Sequence, residues 1–332
     1  MQLPKFQLLQ PSSLAEAIDL LSQHKGEAQL LAGGTDLLPA MKLRVRTPVY
    51  LVSLKGIPRL DYIEYGQDKG WIKIGPLTTL KALQSSPLIQ EKLPVLARTV
   101  GLVGARQIQN MATIGGNICL DTRCWYYNQS HFWRSCRLPC YKAGGELCHA
   151  IQAVGHCHAV YSGDLAPCLI ALAAQVKIKD RQGEKIIPLE ELYTGKGNCP
   201  LNLAADDIIA EILIPLPPGH TASAYQKLRD REAIDFPLAG VAVCVSLDQK
   251  DGICTNIRIV LNAVGSAPRR ATKAEELLTG KVIDEALIEE AGKECFRQAH
   301  PVPNTPNSPA YRKKAVPVLL RRAIQGALSQ IH

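Results

Sequence analysis

The 332-residue chain has no apolar run long enough to cross a bilayer as a helix. Its first residues, Met1 to Ser13, lack the charged start, apolar core and small-residue cleavage site of a secretory signal. Both absences lead to the expectation of a cytoplasmic protein without a membrane span. The formal charge is +8. There is nevertheless no long Lys/Arg run and no helix-turn-helix or RNA-motif signature, so nucleic acid is not expected as a partner. A basic surface also suits an acidic protein or an anionic cofactor. No grouping of Ser, His and Asp and no carboxylate pair presents itself as a catalytic site.

The length allows two or three domains, each with its own core. Phe6 to Gln10, Ala28 to Leu31 and Val49 to Leu54 read as strands. A helix between the first two is marked by the capping box Ser13-x-x-Glu16 and by Leu14, Ala17, Ile18 and Leu21. Pro39 to Leu43 reads as a short helix. A second unit runs from the strand Trp71 to Gly75, through helices near Ala82 and at Leu93 to Val103, to the helix Pro167 to Ala173 and the segments Ala174 to Ile178, Ile186 to Leu192 and Ile208 to Ile214. Pro215 to Gly219 is the best linker. Beyond it, Ala222 to Leu228, Leu238 to Leu247 and Ile253 to Val264 read as strands. Helices follow at Lys273 to Leu278, Asp284 to Gln298 and Tyr311 to Ser329, the last reading as a basic, solvated face. The expected fold is α+β: a small βαβ-type unit (1–57), a larger α/β unit (58–218) with an insertion at about 120–162, and a C-terminal sheet with helices (219–332).

Two Gly-Gly segments stand out. Ala32-Gly33-Gly34-Thr35-Asp36-Leu37-Leu38 follows a strand, and Thr113-Ile114-Gly115-Gly116-Asn117 lies in the second unit. Paired glycines let the backbone approach a ligand and take positive φ, and successive N–H groups beside a hydroxyl can form a nest for a phosphate. Neither segment is G-x-G-x-x-G, and a tight strand-to-helix turn explains one of them equally well. Two together look like loops gripping one diphosphate.

The insertion differs from the rest. Residues 120–162 hold five of the eleven cysteines (Cys124, Cys136, Cys140, Cys148 and Cys157), four of the eight histidines and two of the three tryptophans. In a reducing compartment these are not a disulfide framework. Four thiolates suit a [4Fe-4S] cubane. Cys136-x3-Cys140 with His149, His156 or His158 could instead hold zinc, and reduced cysteines in a long loop are a third reading. Trp125, Tyr126, Tyr127, Phe132 and Trp133 would supply an apolar shell, and Arg123, Arg134, Arg137 and Lys142 positive charge around the sulfurs. The other cysteines, such as Cys168 and Cys244, read as small buried apolar residues.

LLAGGTDLLP, ATIGGN, SGDLAP, YQKLRDREAIDFPLAGVAVCV and LNAVGSAPRRATKAEELLTG together resemble the flavin-binding medium subunit of the xanthine oxidase family of molybdenum hydroxylases, over essentially the whole chain. The resemblance implies FAD held by residues 31–38 (Leu31, Ala32, Gly33, Gly34, Thr35, Asp36, Leu37, Leu38), by Val103 and by 113–117 (Thr113, Ile114, Gly115, Gly116, Asn117), with Asp164 at the nucleotide and Lys227 near the ring. Most members lack the insertion. One branch, the β subunits of 4-hydroxybenzoyl-CoA reductases, carries one with a [4Fe-4S] cluster, and Cys124, Cys140, Cys148 and Cys157, spaced by 15, 7 and 8 residues, resemble its ligands; Cys136 is then spare. That branch implies a ferredoxin as electron donor, transfer through the cluster and FAD to [2Fe-2S] clusters on a small subunit, and a molybdenum cofactor on a large subunit, in a heterotrimer or its dimer. A medium subunit passing electrons outward to NAD, quinone or oxygen is the other possibility within the family. The missing catalytic constellation suits an electron-transfer role.

Overall fold

The structure is a computed structural model and describes residues 2–66, 70–152 and 155–331. Three main sheets follow one another along the chain, accompanied by the small ribbon Tyr193–Lys196 with Cys199–Leu201. The first is parallel, in the order Gln7–Leu9, Tyr50–Ser53, Ala28–Leu31. Helix Leu14–Gln23 covers it. Ser13 caps that helix by accepting from the Glu16 N–H at 3.2 Å, and the Glu16 carboxylate reaches back to the Ser12 N–H at 2.8 Å. The 3.6-residue spacing puts Ala17, Ile18 and Leu21 on one face, where they pack with Val52 and Leu54. Gly33 and Gly34 turn the chain at the carboxyl end of Ala28–Leu31 into helix Leu37–Lys42. Ligands of parallel α/β sheets bind at such strand ends.

The second sheet is antiparallel, in the order Ile63–Gly66, Trp71–Ile74, Ile208–Pro215, Gln175–Lys179, Glu184–Pro188. Helices Leu80–Ser85, Pro94–Gly101 and Leu165–Ala171 share its core through Ile72, Ile74, Val176, Ile178 and Ile212. Strand Ile63–Gly66 and helix Pro87–Lys92 were not anticipated. Both are short, and length is what gives a periodic pattern its force.

The third sheet joins Thr221–Leu228, Ala239–Leu247, Cys254–Asn262 and Arg269–Arg270, all antiparallel. Val241, Val243 and Val245 face a core shared with helices Glu285–Gln298 and Pro309–Leu328. Ala242 and Cys244, on the other face, join the core of the second unit. Burial on both faces explains why Leu238 to Leu247 is an apolar run without alternation. The last helix corrects one expectation. Its Arg312 is fully buried, not solvated, and donates to the carbonyls of Leu238, Val302 and Ala263. No described helix is long and apolar enough to cross a membrane.

Candidate functional site

The two Gly-Gly segments touch. A Cβ built on Gly33 would stand 2.0 Å from the Met111 carbonyl oxygen, just ahead of the second segment. Gly34 has φ +74, a value only glycine adopts freely, and a Cβ built there would meet the Leu31 and Leu38 side chains at 3.2 Å. The segments differ in their hydrogen bonds. In the second, Thr113 caps the short helix Ile114–Ile118 by accepting from the Gly116 N–H at 3.1 Å. Ile114 N–H donates to Thr78 O and Gly115 N–H to Pro76 O. These amides are spent inside the protein. In the first, the N–H groups of Gly33, Gly34, Thr35, Asp36 and Leu37 have no protein acceptor among the described residues. They form a half-buried cradle of five consecutive donors, the chemistry a pyrophosphate requires. Sequence spacing treated the two segments alike; only the paired acceptors Pro76 and Thr78 distinguish them.

Val103 is packed in the second unit's core. Asp164 and Lys227 are nearly inaccessible and meet at 2.8 Å. Lys227 also donates to the carbonyls of Leu102 and Asp235, each at 2.9 Å, and Tyr225 donates to Asp164 at 2.8 Å. Burial raises the Asp164 pKa against the pull of Lys227. The pair therefore joins the second unit to the third sheet, and all three Lys227 donors are engaged by the protein.

The insertion brings together four of its five cysteines. Cys124, Cys140, Cys148 and Cys157 line one cavity with Tyr126, Tyr127, Lys142, His149 and His158. Cys136 lies outside it, exposed, its thiol directed at the Phe132 carbonyl. Burial pushes the Cys124 thiol up to about 11, with Cys157, Cys140 and Cys148 adding to the effect. Cys157 is raised by burial as well. Burial thus favours the neutral thiol at Cys124 and Cys157. Among the described residues no three donors converge closely enough for a single metal ion. Zinc would need four donors about 2.3 Å from one centre. A cubane assigns each thiolate its own iron, so separated cysteines around a cavity fit it better. Cys119, a sixth cysteine beside the insertion, is half-buried, its thiol pushed up to about 12 by desolvation, and lies outside the cavity lining.

The expected shell is only partly formed. Tyr126 and Tyr127 line the cavity, whereas Phe132 is 79% exposed. Among the cations, Lys142 alone lines it, donating to Asp121 at 2.7 Å, Thr122 at 2.7 Å and Gly197 O at 2.6 Å. Burial disfavours the Asp121 carboxylate, but Lys142 and Arg46 outweigh it and hold its pKa low. Arg123 instead pairs with Asp36 of the first Gly-Gly loop at 3.1 Å. Arg134 is spent on the carbonyls of Gln129 at 2.6 Å and Arg44 at 2.8 Å. Arg137 stacks over Trp133.

Residues 4–217 match the family of FAD-binding domains in molybdopterin dehydrogenases, and residues 223–327 match the CO dehydrogenase flavoprotein C-terminal domain. The chain is 29% identical to the carbon monoxide dehydrogenase medium chain of Afipia carboxidovorans, over 97% of this chain and 96% of that one. It is 30% identical to the aldehyde oxidoreductase FAD-binding subunit of Escherichia coli, over 78% and 82% respectively. The fold is similar to a crystal structure of a Cu,Mo-CO dehydrogenase, with a TM-score of 0.82, 27% identity and 99% of both chains covered.

Proposed function

The chain belongs to the family of FAD-binding subunits of the molybdenum hydroxylases, and from that premise we propose that it is the β subunit of a 4-hydroxybenzoyl-CoA reductase, holding a [4Fe-4S] cluster beside its flavin. One observation carries the finer reading: four cysteines spread over 34 residues line one cavity, while the fifth is excluded. Cys124, Cys140, Cys148 and Cys157 would be the ligands. Bound FAD exchanges one or two electrons, and a cluster relays one at a time. The residues supply the rest. The Gly33–Leu37 amides and the Thr35 hydroxyl would hold the pyrophosphate, next to Thr113–Asn117. Lys142, buried beside the sulfurs, offsets their charge. Arg123 physically joins the cysteine segment to the flavin loop. The units 1–57, 58–218 and 219–332 each carry one of the three main sheets.

In this reading electrons come from a ferredoxin and leave toward a small [2Fe-2S] subunit and a large molybdenum subunit, where 4-hydroxybenzoyl-CoA is dehydroxylated to benzoyl-CoA in the cytoplasm. Because Arg134 is committed to backbone carbonyls, Arg137 is the residue to reverse in a test of ferredoxin docking. A second reading, a medium subunit sending electrons outward to NAD, quinone or oxygen, is favoured by the relatives named above, a CO dehydrogenase and an aldehyde oxidoreductase. The test is anaerobic purification with flavin and iron analysis, then an assay of donor-dependent reduction of 4-hydroxybenzoyl-CoA by the whole complex. We expect FAD, about four irons in this chain, and turnover. Cys136→Ser should keep the iron and Cys140→Ser lose it. A complex that contains flavin but oxidises a different substrate outward, with no iron in this chain, sinks the reductase reading.

A further inference from the structure

We propose that Asn304, in the proline-rich loop of the C-terminal domain, is a positioning residue for the cysteine site. The inference rests on the reading that these cysteines hold a cluster. Asn304 is 2% exposed. Its Nδ2 donates to His158 O at 2.6 Å, and its backbone carbonyl accepts from the Trp125 N–H at 2.9 Å. One residue thus ties the position after Cys124 to the position after Cys157. On the other side of Cys124, and two positions beyond His158, Arg123 and Val160 exchange both backbone hydrogen bonds, each at 2.7 Å. Cys124 therefore lies between two cross-links, and Cys157 directly precedes the His158 tie, its own carbonyl accepting from the Gly197 N–H at 3.0 Å.

The other two ligands are held differently. Cys140 and Cys148 sit on a local turn, closed by the Tyr141 N–H to Leu147 O and the Gly145 N–H to Cys140 O, both 2.9 Å. That turn docks onto the first pair through Lys142, which reaches Asp121, Thr122 and Gly197. The site is assembled from a fixed pair and a docked pair, and Asn304 belongs to the fixed one. Its loop is itself restrained. Pro301, Pro303 and Pro306 limit the backbone, and buried Arg312 donates to Val302 O at 3.1 Å. Asn304 is 146 positions from His158, and its placement depends on the third sheet being docked.

The proposal separates iron from flavin. Among the described residues Asn304 makes no hydrogen bond to either Gly-Gly segment, so its loss should affect the cluster and spare FAD. Asn304→Asp keeps the size and the backbone carbonyl but sets an oxygen against His158 O. Asn304→Gln keeps the amide donor. The full chain, loaded anaerobically with iron and sulfide, is challenged with a chelator while iron and FAD per chain are followed. Partners that orient metal ligands typically contribute about 10-fold to 100-fold in affinity. We expect iron release from Asn304→Asp to be at least about tenfold faster than from the unaltered protein, FAD content to be unchanged, and Asn304→Gln to recover most of the difference. If Asn304→Asp does not fold, Asn304→Ala removes the donor without adding charge and must show the same release. Release at the unaltered rate, loss of FAD in step with iron, or no difference between the Gln and Asp variants overturns the proposal. Failure of the unaltered chain to take up iron, with FAD retained, refutes the cluster reading itself and is distinguished by that control.

Discussion

Gly33 is where the first Gly-Gly loop meets the chain leading into the second most tightly. A side chain there would collide with the backbone oxygen of Met111, at 2.0 Å, and crowd Ala112 Cα at 3.1 Å. Backbone cannot swing aside as a long side chain can, so Gly33→Ala must push the first segment away from the second. Overpacking of this kind costs about 1–3 kcal/mol, and it displaces the five free amides. Gly33→Ala should fold with a lowered melting temperature and purify with less than about half the normal flavin, read from absorbance per chain. Gly116→Ala is the contrast, since its nearest neighbour is the Thr113 hydroxyl at 3.1 Å. Normal flavin in Gly33→Ala would falsify this account of the cradle. The glycine pairs were legible in the sequence because glycine marks close approach. Which segment keeps its amides free was not, since that depends on Pro76 and Thr78, far from either pattern in structural role. Asn304 and Arg123 were invisible as ties for the same reason: partners 146 and 87 positions away leave no local signature.

Between elements, one deeply buried join is the ion pair at the start of helix Leu165–Ala171 and on strand Thr221–Leu228. Asp164 and Lys227 have side chains 4% and 1% exposed. Removing one member of a buried pair strands the other charge, at a cost of about 3–5 kcal/mol. Lys227→Met should therefore destabilise the protein by about that much in urea unfolding, and adding Asp164→Asn should restore a large part of it. Equal stability of the single and double variants would show that the charge interaction is not what joins the elements. The sequence resemblance placed both residues at the flavin. The structure engages them with each other, with Tyr225 and with two carbonyls. Long helices and strands were legible from periodicity. Arg312 was misread because a basic residue on a helix is usually solvated, and only the three carbonyls around it show why this one is buried.

At the scale of the whole molecule, the insertion lies over the meeting place of all three units. Arg134 ties it to Arg44 of the first, Lys142 to Gly197 of the second and Asn304 to the third. Its base is nevertheless closed by a single antiparallel bridge, Arg123 with Val160. Chain ends paired in this way can be joined by a two-residue turn. Replacing residues 125–158 by Asn-Gly should therefore leave the rest of the fold intact. It keeps Arg123 and its partner Asp36, so the flavin loop retains its support. It removes three of the four cavity cysteines and exposes the Asn304 loop. The shortened chain should bind FAD in near-normal amount, contain no iron, and lose reduction by reduced ferredoxin while dithionite, a small reductant that reaches the flavin directly, still bleaches it. If FAD is lost together with iron, the insertion is part of the flavin site and not an added relay. The separation argues that the α+β frame specifies the flavin subunit and that the cysteine segment, held from three sides, adds a cysteine-lined cavity without altering that frame.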